Sequence, residues 1–290
     1  MHAIMGGTGH VGSAVAEALL WRGEQVIVIT RAVDGPSRLR DQGARFAQAD
    51  VEDVDSLRAA FRGAKRAFLL NPPADVAQDT DTIERRTAAK ILEALEGASL
   101  EKVVAASTGG AQEGECLGDL NVLWELERGL RRQPIPAAIN RGAYYMSNWD
   151  GLLESVETTG KLSTIFPADL AIPMVAPADL GRFAADRLLS GTDDIAIREV
   201  EGPERYTVRQ VADAFARALG KPVGLDITPR AGWKDAFLSQ GFSEKAATSY
   251  ARMSKASVDG GFEFSDTPLR GTVSLQRYIA ELVARRHEGK

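Results

Sequence analysis

The sequence predicts an α/β protein built on a doubly wound parallel sheet, and three observations carry that prediction. Short apolar runs alternate with amphipathic stretches through roughly the first half of the chain, a rhythm that favours parallel strands joined by helices. A glycine-rich turn, "MGGTGHVG", follows the first run. The chain has 290 residues, 44% hydrophobic and 26% charged, which is enough to bury a substantial core. Taken in order, the strand candidates are 3–5, 25–30, 44–48, 66–70, 102–106 and 137–140, each mainly apolar. Between them, Val11, Val15, Ala18 and Leu19 share one helical face, and Ile83, Thr87, Ile91 and Leu95 share another. Both faces of one sheet can thus be covered. After Asn140 the rhythm weakens, and prolines at 167, 173, 177, 203, 222 and 229 cut the chain into shorter pieces. The expected organisation is a nucleotide-binding domain over 1–140, with a return segment near 167–190, and a smaller, discontinuous α+β substrate lobe over 141–290.

Composition removes several function classes. No apolar run reaches the ~18–20 residues needed to cross a bilayer. The first residues also lack a basic start followed by a long apolar stretch, so a cytoplasmic location is expected. Forty acidic against 35 basic side chains leave a formal charge of −5, which opposes a phosphate backbone, and nucleic acid is not an expected partner. The single cysteine, Cys116, cannot form an internal disulfide, and His2, His10 and His287 show no ligand spacing. No structural metal is therefore expected. A homodimer is the default expectation for assembly.

The glycines at 6, 7, 9 and 12 read either as Gly6-x-x-Gly9-x-x-Gly12 or as Gly7-x-Gly9-x-x-Gly12. A strand ending at Met5 and a helix beginning near Val11 leave a turn that a pyrophosphate can approach only where side chains at 6, 9 and 12 are absent. The first amides of the helix, that of Val11 among them, then face the negative charge with the helix dipole behind them. Thr8 and His10 add donors. A dinucleotide site is the expectation, against the plainer alternative of a tight turn with no ligand. The end of the second strand reads Ile29-Thr30-Arg31, where an NAD site usually carries Asp or Glu for the ribose hydroxyls. Arg31 suits a 2′-phosphate instead, with Thr30 as a further donor, so NADP(H) is the expected cofactor. Asp34 nearby keeps NAD open.

With these residues in place, the chain resembles the NmrA-like group of atypical short-chain dehydrogenases/reductases over nearly its whole length. The likeness rests on "GGTGHVG", on Thr30-Arg31, on "ADV" at 49–51 followed by "VDSLRAAFRG", on "FLLNPP" at 68–73 and on "VVAASTGGA" at 103–111. It continues through "WELERGL", "NRGAYYMSN" at 140–148, "PADLGRFAADRLL" at 177–189 and "EGPERYTVRQVADAFARALGKPV" from Glu201. The resemblance implies a Rossmann-like domain with a small C-terminal lobe and a cofactor lying across the C-terminal strand ends. By position, it implies that Asp50 and Val51 border the adenine. Leu70, Asn71 and Pro72 would line the ribose and pyrophosphate side, and Ser107 and the segment 142–145 would approach the nicotinamide. Plainer roles exist for some: Asp50 can cap the following turn, and Pro72-Pro73 can stop a strand. "PADLG" reads as structural, with Asp179 in the first turn of a helix.

Many members of the superfamily use a tyrosine four residues before a lysine, which lowers the phenol's pKa for proton donation. Four residues after Tyr144, Tyr145, Tyr206, Tyr250 and Tyr278 stand Asn148, Trp149, Gln210, Ser254 and Leu282. None is lysine. In the resembling reductases a lysine often precedes the "E-x-E" segment, and the matching place here is Leu123.

Two readings survive that departure. The first is an NADPH-dependent reductase passing a hydride to a quinone or similar electron-poor planar acceptor, where ring orientation counts for more than a tuned acid and water could supply the proton. Tyr144, Tyr145 and Trp149 would wall such a substrate, and Tyr144 is the catalytic candidate, donating a hydrogen bond to the developing oxyanion. The second is a non-catalytic NADP(H)-binding regulator whose nucleotide selects between two conformations. An azo dye, an enone or a flavonoid-like ring system would suit the same aromatics. Residues 233–253 read as a helix pair that could close over the site, while Cys116 has no His or Lys close in sequence and is not an expected nucleophile.

Overall fold

The computed structural model describes residues 1–32, 35–262, 265 and 267–288. Its first half runs β1 (His2–Ile4), α1 (His10–Trp21), β2 (Val26–Thr30), α2 (Ser37–Asp41), β3 (Arg45–Gln48), α3 (Val54–Phe61), β4 (Arg66–Leu69), α4 (Thr80–Leu95), β5 (Lys102–Thr108), α5 (Asp119–Leu130) and β6 (Ala137–Gly142). Each of these strands lies within two residues of its sequence expectation.

The second half is more broken. It holds β7 (Tyr144–Tyr145), α6 (Leu153–Thr159), β8 (Lys161–Thr164), β9 (Ile172–Val175), α7 (Pro177–Leu189), β10 (Ile197–Glu201) and β11 (Arg205–Tyr206). There follow α8 (Val208–Leu219), β12 (Gly224–Ile227), α9 (Trp233–Ser239), α10 (Glu244–Ala256), β13 (Leu269–Arg270) and α11 (Leu275–Glu288).

Eight strands form the central sheet in the order β13-β10-β6-β5-β4-β1-β2-β3, every pair parallel. Parallel neighbours need long crossovers, and here helices supply them on both faces. One face packs Leu57 and Phe61 of α3, Ile91 and Leu95 of α4 and Leu126 of α5. The other packs Val15 and Leu19 of α1, Leu39 of α2 and Leu180 and Leu188 of α7. Buried on two sides, the sheet is Rossmann-like. Its strand order reverses between β1 and β4, which places a crevice outside the C-terminal ends of those two strands.

The C-terminal half returns to this sheet. Helix α7 lies so close to α1 that a Cβ on Gly181 would stand 2.5 Å from Ala14. Asp179, buried in the first turn of α7, accepts the backbone N–H groups of Thr272 and Val273 at 3.0 and 2.9 Å and so fastens the segment after β13. A third core gathers Trp149, Phe166, Tyr206, Phe215 and Ile279 beneath two small sheets, β11-β9-β7 and β12-β8. Among the described residues no helix is long and apolar enough to cross a membrane.

Candidate functional site

The turn after β1 forms the floor of the crevice. Gly6 adopts φ +66°, a left-handed conformation that side chains resist. A Cβ on Gly12 would lie 2.2 Å from the Gly6 carbonyl oxygen, so α1 can seat on the turn only without one. Gly7 serves packing too, its would-be Cβ falling 2.4 Å from Val28. Gly9 is different. Around its would-be Cβ the single close atom is the Gly6 carbonyl oxygen at 3.5 Å, and the remaining space is open. Folding thus accounts for Gly6, Gly7 and Gly12 but not for Gly9, whose bare backbone leaves room for a ligand. The first intrahelical bond of α1 runs from the Ser13 N–H to the Gly9 carbonyl at 3.1 Å, which leaves the amides of His10, Val11 and Gly12 ahead of the ladder.

A cavity of about 360 Å³ continues from this turn along the ends of β2, β3 and β4. It brings together Gly6, Thr8, Thr30, Arg31, Asp50, Val51, Leu70 and Pro72. Thr30 is buried, and its hydroxyl accepts the Ala32 N–H at 3.2 Å, holding the turn that carries Arg31. Arg31 itself is exposed. Asp50 accepts the Glu52 N–H at 2.9 Å, closing a turn as its plainer role requires, while Asp53 caps α3 by accepting from Asp55 and Ser56. Asp34 lies outside the described residues.

Other expected side chains point elsewhere. The Asn71 amide donates to the Glu84 carbonyl at 2.9 Å and accepts from Thr87 at 2.8 Å, so it pins the β4–α4 connection instead of lining the cavity. Ser107 is 2% exposed and donates to Glu127 at 2.6 Å, a carboxylate that Arg141 also grips at 2.8 and 2.7 Å. Val11 buries its side chain in the core, and His10 Nε2 stands 3.9 Å from Asp150.

A second cavity, of about 200 Å³, opens at the C-terminal ends of β5 and β6. Thr108, Gly109, 142–145 and Asn148 line it, together with Phe166, Met253 and Phe262. Tyr144 and Tyr145 are among its lining residues, whereas Trp149 is 2% exposed in the third core, 5.4 Å from the Tyr144 ring. Burial pushes the Tyr144 phenol up to about 12, against the lowering effect of its hydrogen bond with Asn148, and it drives Tyr145 higher still. Such phenols stay protonated at neutral pH as hydrogen-bond donors, not ready acids.

The expected helix pair forms on either side of Gly241 as α9 and α10. Helix α10 is fastened in place: Ser249 donates to Asp81 at 2.5 Å and accepts the Gly118 N–H at 2.9 Å, and Lys245 pairs with Asp79 at 2.8 Å.

Sequence reasoning passed over Asp119, the first residue of α5. Its side chain lines the second cavity and is exposed to solvent there. The protein atoms packed about the carboxyl and the negative charge of Asp81 push it up to about 6. Glu84 is buried at 3% exposure, and burial together with the charges of Asp119 and Asp81 raises it to about 7, although the Ala74 N–H donates to it at 2.9 Å. A signal was available in the spacing. Asp119 stands four residues before Leu123, the interval of a tyrosine–lysine pair with neither residue present.

Known proteins are similar to the chain to different extents. Over 115 residues the chain is 30% identical to the UDP-glucose 4-epimerase of Lacticaseibacillus casei, covering 37% of this chain and 34% of the epimerase. The match therefore spans about a third of that curated relative's length. Among solved structures, the chain is similar to an NADPH-dependent quinone oxidoreductase of Escherichia coli complexed with NADPH (TM-score 0.78, 22% identity, 99% of this chain and 100% of that one). It is also similar to the triphenylmethane reductase of a Citrobacter species (TM-score 0.80, 22% identity, 98% and 99%). At these identities the likeness establishes the fold. The model of the NmrA-like family matches residues 2–263, and the chain belongs to that family.

Proposed function

We propose that the protein is an NADPH-dependent reductase that transfers a hydride to a quinone or a similar electron-poor planar acceptor. One observation carries this reading: a glycine turn whose Gly9 has no structural need to be bare lies at the switch point of the sheet, beside a cavity edged by Arg31. The neighbours named for quinone and triphenylmethane reduction support the choice of chemistry.

The residues fit the nucleotide. The Gly6–Gly9–Gly12 turn and the leading amides of α1 would receive the pyrophosphate, with Thr8 as a further donor. Arg31, on the turn held by Thr30, would receive the 2′-phosphate. Asp50 and Val51 would border the adenine, and Leu70 and Pro72 the ribose side, with Asn71 fixing the loop that carries Pro72. Bound NADPH would supply the hydride. The protein's own part is to hold the acceptor: Tyr144 and Tyr145 orient a planar ring, and the apolar walls exclude water. Such positioning is worth about 7–11 kcal/mol of a bimolecular barrier. Tyr144, protonated across the neutral range, would donate a hydrogen bond to the developing oxyanion.

NADPH oxidation followed optically with a panel of quinones tests the reading. Acceleration over protein-free buffer is expected. Saturable NADPH binding with no acceleration would leave a nucleotide-binding regulator in its place.

A further inference from the structure

Asp119 is the one charged side chain among the described residues that line the second cavity; the rest of the lining is apolar, aromatic, hydroxyl or amide. It sits one helical turn before Leu123 on the same wall, with Thr108, Tyr144 and Tyr145 lining the same space. The groups that act on it or feel its charge are Asp81 and Glu84 from α4, Tyr145 from β7 and Tyr250 from α10, none of them cationic. Among the cations of α4 and α10, Arg85 pairs with Glu125 at 2.8 Å, Lys245 with Asp79 at 2.8 Å and Lys255 with Asp259 at 2.9 Å. Though exposed to solvent, the carboxyl has a negative neighbour in Asp81 and no cation among these groups, which disfavours its ionised form and raises it toward neutrality. The cavity's phenols, displaced in the alkaline direction, are far weaker acids.

We infer that Asp119 is the general acid of the reduction, passing its carboxyl proton to the oxygen of the reduced acceptor; this rests on the reductase reading above. Hydride addition to a quinone leaves a hydroquinone anion. The carboxyl O–H of Asp119 breaks as the hydroquinone O–H forms, and the carboxylate recovers a proton from solvent. In sum, quinone, NADPH and one proton give hydroquinone and NADP⁺. A cationic triarylmethane dye, by contrast, is a carbocation that becomes neutral on accepting hydride and needs no proton.

That difference supplies the test, made on the full chain with Asp119→Asn. With a benzoquinone, kcat is expected to fall about 10–100-fold, the lower part of the range for general-acid catalysis because the hydroquinone anion is a weak base. With the cationic dye, which needs no proton, the fall in kcat is expected to be smaller than with the quinone. An acid must hold its proton to work, so the parent's quinone kcat declines as pH rises through about 6, and the variant's does not. Apart from turnover, the infrared band of protonated carboxyls in the nucleotide-free protein should lose a component titrating near 6 in the variant. Asp119→Glu should restore part of the quinone activity, and thermal unfolding of both variants checks that the fold is kept. Equal losses with both acceptors, or a pH limb unaltered by Asp119→Asn, would overturn the assignment of the acid alone. A parent protein that binds NADPH yet reduces neither acceptor would overturn the reductase reading, and the acid with it.

Discussion

Replacing Glu84 with glutamine should change how the protein's stability depends on pH. Glu84 is 3% exposed, and burial with the negative charges of Asp119 and Asp81 raises its carboxyl from the ordinary 4.5 to about 7. Between those values the folded chain binds more protons than the unfolded chain, so stability falls as pH rises. Below both, the group is neutral in either state and costs nothing. Above both, it is ionised in either state and the whole penalty applies. At ~1.4 kcal/mol per pH unit the interval amounts to ~3 kcal/mol. Glutamine keeps an oxygen for the Ala74 N–H that Glu84 now accepts at 2.9 Å, and it removes the charge. Urea unfolding followed by circular dichroism should find Glu84→Gln equal to the parent near pH 4.5 and more stable by about 2–3 kcal/mol near pH 8.5. A stability difference that stays constant or shrinks with rising pH would refute the reasoning.

The glycines of the turn separate by role. Gly9→Ala should leave the unfolding temperature unchanged, its Cβ meeting a single oxygen at 3.5 Å, yet weaken NADPH binding about tenfold or more in a fluorescence titration. Gly12→Ala, 2.2 Å from the same oxygen, should lose about 1–3 kcal/mol of stability as well as the nucleotide, read by calorimetry. Arg31→Ala should lower NADPH affinity about 10–100-fold, as expected for charge-assisted bonds worth ~1.5–3 kcal/mol, and leave NADH affinity in place; isothermal titration measures both. Asp179→Ala removes the acceptor of two backbone N–H groups, Thr272 and Val273, and should destabilise the protein by about 2–4 kcal/mol in urea, with Asp179→Asn recovering part of the loss.

The first six strands are legible because each is a local apolar run bounded by turn residues, and Val11, Val15 and Leu19 are buried as their helical spacing requires. The glycine turn is legible for a similar reason, since what a Cβ would strike there lies within a few residues. Side-chain partners drawn from distant segments leave no such trace. Asn71 is committed to α4, Ser107 to Glu127 of α5, and Trp149 to the third core, although each side chain suits a ligand contact equally well. Lys102 reads as the first residue of a strand, yet it is fully buried with its ammonium on Ser190 and the Gly191 carbonyl, both at 2.8 Å. Strand β13 is two residues long and has no periodicity to detect; its place comes from pairing with β10. Asp119 owes its surroundings to α4, β7 and α10 converging on one helix start, which no local pattern encodes.

Equilibrium titration of the purified full chain with NADPH and with NADH tests the nucleotide assignment most directly. Saturable binding of NADPH, tighter than that of NADH, is the predicted result. Uptake of neither nucleotide would contradict it, whatever the fold.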